Sequence, residues 1–174
     1  MSFFSDVRKG TTYAPGYFLA HNDEGVTRET REVAQDSALV VTSFDGAKHV
    51  PMGTAYPTND GNAIGILYED VDVTCGNMPG SVVTGNAEVY EDRLAITNVA
   101  YDAVSPVGTE NPSEQGWFEK DASNNYFPTS DTTVNVSKTY YAQTITRLAS
   151  AAKTALQALG FKFIATAPAV TRPY

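Results

Sequence analysis

At 174 residues, with 42% hydrophobic and 18% charged side chains, the chain is long enough to bury a core and too apolar for disorder throughout. Its net charge of −8 repels phosphate backbones, which disfavours nucleic acid as a partner. Cys75 is the single cysteine, so an internal disulfide and a cysteine-based zinc site are both excluded.

The charge is unevenly spread. Residues 36–105 hold ten acids and two bases, which is the whole net charge, while residues 143–174 hold four bases and no acids. The basic stretch is suited to face the acidic one, in the same chain or a neighbour. Ten Tyr and eight Phe, with many Val and Thr, favour strands. MSFFSDVRKG lacks the apolar region of a secretory signal, and no run of about 18 apolar residues occurs. The expectation is a chain made in the cytoplasm with no membrane span.

Residues 1–35 read as an arm, with Pro15, Gly16 and Gly25 and no sustained period. Tyr13, Tyr17 and Phe18 are large apolar side chains for such a segment. They either fold back on their own core or dock on a partner. Residues 36–104 read as strands and turns. SALVVTSF is a strand, Asp45–Ala47 a turn and TNDGN another turn. AIGILYEDVDV is extended, CGNMPGS breaks it, and VVTGNAEVYEDRLAI alternates with Val83, Ala87 and Val89 on one face.

Residues 105–142 are rich in Pro, Asn, Ser and Thr, hold the only Trp, and read as short hairpins inserted into the fold. Residues 143–159 carry Ile145, Leu148, Ala152, Leu156 and Leu159 at helical spacing, with Gly160 at the C′ position. FKFIAT follows as a short strand.

Several patterns invite a chemical reading. Asp70 and Asp72 share one face of a strand, next to Glu69. They lack the central glycine and distal Glu of a calcium loop, so a solvated face is the better reading. Nothing supplies a second carboxylate wall for glycoside hydrolysis. Ser150 and Lys153 spell S-x-x-K without its partner motifs. Cys75 with His21 or His49 offers a thiol and a base with little specificity, and Cys75 reads instead as a small buried apolar side chain. Asn135–Ser137 matches a glycosylation acceptor, relevant to a secreted protein. No catalytic residue, metal ligand or cofactor is expected.

AIGILYEDVDVT, then GSVVTGNAEVYEDRL, then ALQALGFKFI resembles, in order and spacing, phage capsid decoration proteins of the lambda head-protein type, also named head fibre proteins. The resemblance covers residues 36–98 and 143–165. NPSEQGWFEKDASNNYFPTSDTTVNVSKTYY is similar to a module of assorted virion proteins from phages of Gram-positive bacteria, through GWFE, TSDTTV and KTYY.

The resemblance implies an α+β, mainly β fold: a β-clip-like body with one C-terminal helix and an inserted β module. The division is a capsid-binding arm over 1–35, a core over 36–104 plus 143–168, and the module over 105–142. It implies a homotrimer on the capsid exterior of the virion, clamping neighbouring major capsid subunits and stabilising the head without catalysis. Tyr13, Pro15, Tyr17 and Phe18 would anchor the arm on the major capsid protein. The rival reading makes the module an adhesin, with Trp117, Phe118, Tyr126 and Phe127 as an aromatic platform for host-surface glycan.

Overall fold

Ile66–Leu67 and Val82–Val83 are apolar neighbours, and neighbours on a strand point to opposite faces, so these strands need cover on both sides. The computed structural model, which describes residues 14–20, 25–43 and 45–168, provides it. In chain order the strands are β1 (Thr27–Val33), β2 (Val41–Thr42), β3 (Lys48–Val50), β4 (Ala55–Tyr56), β5 (Gly65–Leu67), β6 (Val71–Asp72), β7 (Met78–Gly85) and β8 (Glu88–Tyr90). Then come β9 (Asn98–Val104), β10 (Phe118–Lys120), β11 (Tyr126–Pro128), β12 (Tyr140–Thr146), the helix α1 (Ser150–Ala158) and β13 (Lys162–Ile164). The fold is mainly β, with one α-helix among the described residues.

The chain divides into two units, one running to Ala95 and resuming at Arg147, the other Ile96–Thr146. In the first, the central sheet has the order β1-β7-β5-β4. Ile66 and Val83 point into a cluster with Phe18, Val89, Leu156 and Phe161, while Leu67 and Val82 point into a second with Val33, Val50, Val71 and Val73. Each such side chain contributes roughly 1.5–3 kcal/mol when fully buried. A Cβ on Gly65 would run into the carbonyl oxygen of Val83, so only glycine lets β5 lie this close to β7. A short sheet β2-β3-β6 and the parallel pair β13-β8 complete the unit. Val83, Ala87 and Val89 do share one cluster, as the alternation predicts.

Residues 14–20 and 25–33 belong to this body and form no free arm. Phe18 is fully buried, Leu19 bridges to Val89, Ala20 N–H donates to Glu88 O at 2.8 Å, and β1 pairs with β7 along its length. The large apolar side chains decided this, since burying Phe18 outweighs the turn-rich composition around it.

The second unit is one antiparallel sheet, β11-β10-β12-β9. It starts and ends outside the expected 105–142, because β9 and β12 pair from Asn98↔Thr146 to Val104↔Tyr140. The same pairing shortens the helix. Ile145 lies in β12 opposite Val99, and α1 begins only at Ser150. The run YYAQTIT is rich in aromatic and β-branched residues, and its partner strand outweighs the helical spacing of Ile145 and Leu148. Gly160 follows the helix with φ +90°, a conformation suited to glycine at a helix C′ position.

Candidate functional site

Alternation along the strands of Ile96–Thr146 sorts the expected platform onto two faces. Phe118 pairs with Pro128 and Tyr141, and Lys120 with Tyr126, so Phe118, Tyr126 and Tyr141 share a face with Tyr101. Trp117 and Phe127 fall on the other. The four residues Trp117, Phe118, Tyr126 and Phe127 therefore do not form one platform; the period of two separates each adjacent pair.

On the first face the rings touch one another. Tyr101 and Tyr126 stack at 4.0 Å between centroids with planes 4° apart. Phe118 meets Tyr101 edge-on at 5.2 Å, and Tyr141 meets Tyr126 edge-on at 5.0 Å. Gln143 Nε2 donates to the Tyr101 hydroxyl at 2.9 Å, and Lys120 Nζ lies 5.5 Å from the Tyr126 ring centre. These rings are half-buried, and Val99 and Ile145 on the same face are exposed.

The other face holds a polar cluster around Tyr140, which is fully buried and packs beside Trp117 at 5.8 Å. The Tyr140 hydroxyl donates to Asp131 Oδ2 at 2.6 Å and accepts from Asn135 N–H at 3.0 Å. Lys138 Nζ donates to Asp131 Oδ2 at 2.9 Å and to Glu119 Oε1 at 3.1 Å. Thr129 Oγ1 donates to Glu119 Oε1 at 2.5 Å and accepts from Asp131 N–H at 3.2 Å. Glu119 comes from GWFE, Asp131 from TSDTTV, Lys138 and Tyr140 from KTYY. The three sequence marks of the module thus converge on one cluster, which sequence reasoning missed. Its signal was one charged residue in each mark.

The electrostatics suit a fixed joint. Hydrogen bonds from Tyr140 and then Lys138 hold the Asp131 carboxyl below the usual range. Bonds to Asp131 and Glu119 push the Lys138 ammonium up, and burial, then Asp131, pushes the Tyr140 hydroxyl up. A general acid or base works best with a pKa near working pH, and all three groups are moved away from neutrality.

In the first unit the expected anchors are dispersed. Tyr13 lies outside the described residues, as does His21. Pro15 is exposed. Tyr17 is half-buried under Arg93, whose Cζ is 4.3 Å from its ring centre and whose Nη1 donates to Tyr17 O at 3.1 Å. Phe18 is enclosed in the core and unavailable as a docking side chain.

The acidic run is used locally. Asp70 Oδ1 accepts from Met52 N–H at 2.7 Å, and Asp72 Oδ1 from Thr74 N–H at 2.8 Å, while Val71 and Val73 point inward. Among the described residues no group of three or more His, Cys, Asp or Glu is placed to hold a metal ion. Cys75 is exposed, contrary to the buried reading, because it sits in the turn after β6 and not on a core-facing strand position. Lys153 of the S-x-x-K pattern pairs with Glu91 at 2.6 Å. Asn135 Oδ1 accepts from Ser137 N–H and Oγ, a local turn.

Comparison with protein-family models, curated proteins and solved structures finds no match to this chain.

Proposed function

We propose that the chain is a structural virion protein that binds the outside of an icosahedral phage head at three-fold positions. It acts as a homotrimer with a β-clip-like body, clamps neighbouring major capsid subunits and stabilises the shell without catalysis. One observation supports this reading. The three stretches that resemble decoration proteins supply β5 and β6, then β7 and β8, then α1 and β13. These elements pack on one another: Ile66, Val83, Val89 and Leu156 share one cluster with Phe161, which links α1 to β13, while Val71 of β6 joins Leu67 and Val82 in the other. The segment that the resemblance to decoration proteins leaves largely aside is a unit by itself, Ile96–Thr146. With Phe18 committed to the core, head binding falls to the surface of the first unit and, among the four expected anchors, to Tyr13 and the exposed Pro15.

The test is addition of the purified chain to empty expanded heads, followed by reconstruction. Saturable density in threes on three-fold positions is the expected result. Absence of binding would reject the reading, and isolated single copies away from those positions would reject the trimer.

A second reading, host-glycan binding by the second unit, is favoured by the half-exposed face of Tyr101, Tyr126 and Tyr141 with Gln143 and Lys120 beside it. Aromatic faces with adjacent hydrogen-bonding groups suit sugar rings. Loss of cell-wall binding on Tyr126→Ala, with the fold intact, is its expected outcome; binding unchanged by that substitution would remove it.

A further inference from the structure

β1 reads Thr27-Arg28-Glu29-Thr30-Arg31-Glu32-Val33. It is a terminal strand of its sheet, paired with β7 alone among the described residues, and every residue but Val33 is exposed. Charged residues on an edge strand ordinarily keep copies apart, by setting like charge against like. The order of charges here does the reverse in one register.

Two copies of an edge strand that pair antiparallel in a closed dimer are related by a two-fold axis normal to the sheet. Facing side chains must lie on the same face, so one residue sits on the axis opposite its own copy. An axis on Arg28, Glu29, Arg31 or Glu32 sets that charge against itself. An axis on Thr27 or Val33 overlaps only about half of the strand. With Thr30 on the axis, Arg28 faces Glu32 and Glu29 faces Arg31, each twice by symmetry. Arg28, Thr30 and Glu32 lie on one face and Glu29 and Arg31 on the other, so both faces of the joined sheet carry opposite-charge pairs. Within one copy these side chains are already held near the strand. Arg28 lies over the Tyr68 ring at 4.3 Å, Asn77 Nδ2 donates to Glu32 at 3.1 Å, and Arg31 pairs with Glu29.

We infer that β1 is a self-recognition edge. Two copies of this chain join antiparallel through it, centred on Thr30, and extend the β1-β7-β5-β4 sheet across a two-fold axis. This inference concerns the free chain in solution and does not depend on the virion reading, whose trimer is a state on the head and is tested there.

The test uses the full chain with Thr30→Cys in a Cys75→Ser background, since Cys75 is exposed. Facing residues of antiparallel strands have Cα atoms about 4.5–5.5 Å apart, within disulfide reach. Mild oxidation is expected to give a covalent dimer from this variant. It should give none from Arg28→Cys, whose two copies would sit four residues apart, about 13 Å. Sedimentation supplies a second measurement. Reversing Arg28→Glu together with Arg31→Glu is expected to weaken association by about tenfold or more, whereas exchanging Arg28→Glu with Glu32→Arg retains it because the facing pair is only swapped. Equal cross-linking at positions 28 and 30 would overturn the inference. So would a mass that never contains an even number of copies at any concentration.

Discussion

The first unit fills two apolar clusters, one on each side of a sheet, with Val, Ile, Leu and Phe. In Ile96–Thr146 the enclosed residues are Pro112, Thr129 and Tyr140, and the side chains around them are charged or half-exposed aromatics. A segment this short exposes too much surface relative to its volume to be held by apolar burial alone. It gains uniqueness from a satisfied polar network, in which each member fixes the geometry of the next. The two units therefore break by different chemistry.

Phe18→Ala should have the largest effect, about 3–5 kcal/mol on the first unit, because it empties a fully enclosed site. Urea unfolding followed by far-ultraviolet circular dichroism measures it. A change under about 1 kcal/mol would restore the free-arm reading of residues 14–20.

Tyr140→Phe keeps the ring and removes the hydroxyl that serves Asp131 and Asn135. It strands the Asn135 N–H at a part-buried position, so the second unit should unfold at lower urea. Trp117, the only Trp, reports this directly through its fluorescence. Arg93→Ala is a smaller change, about 0.5–2 kcal/mol, through loss of its stacking on Tyr17 and Tyr90. Faster amide exchange over residues 16–20 is its expected signature.

The pH response should be smallest near neutrality. Asp131 has a lowered folded pKa, so its contribution is present above the unfolded carboxylate value, about 4, and is lost as pH falls through its folded value. Lys138 and Tyr140 have raised folded pKa values. Their contributions are present below their unfolded values, about 10, and are lost as pH rises through the folded ones. The Trp117 transition is expected to be flat between about pH 5 and 9 and to weaken outside that range. A steep change near pH 7 would contradict this network.

What was legible in the sequence followed local rules. TNDGN forms its turn, with Asp60 accepting from Thr58 and Asn62, and Val71 and Val73 take the inner face, opposite the face that Asp70 and Asp72 share by strand alternation. Other elements depend on partners distant in sequence. Ile145 carries helical spacing but sits opposite Val99, nearly fifty residues away in sequence. Thr27–Val33, almost wholly exposed, has no apolar pattern to mark it as a strand; β7 makes it one. The platform residues failed for a simpler reason, since Trp117 next to Phe118 cannot share a strand face with it. The polar cluster was visible only as scattered charges, because Glu119 and Lys138 meet through the β10–β12 pairing.

On the proposed function, the first unit folds without the second and binds the head by itself. The ends permit excision. Arg147 Nη1 donates to Leu94 O, and Thr97 N–H donates to Thr146 O at 2.9 Å, so the body and the insert each close at their own boundary. The decisive experiment replaces residues 96–146 with a short Gly/Ser linker and measures saturation of empty expanded heads. The expected product is a shortened chain that unfolds cooperatively and fills the heads to the same copy number as the full chain. A shortened chain that folds and leaves the heads bare would contradict it.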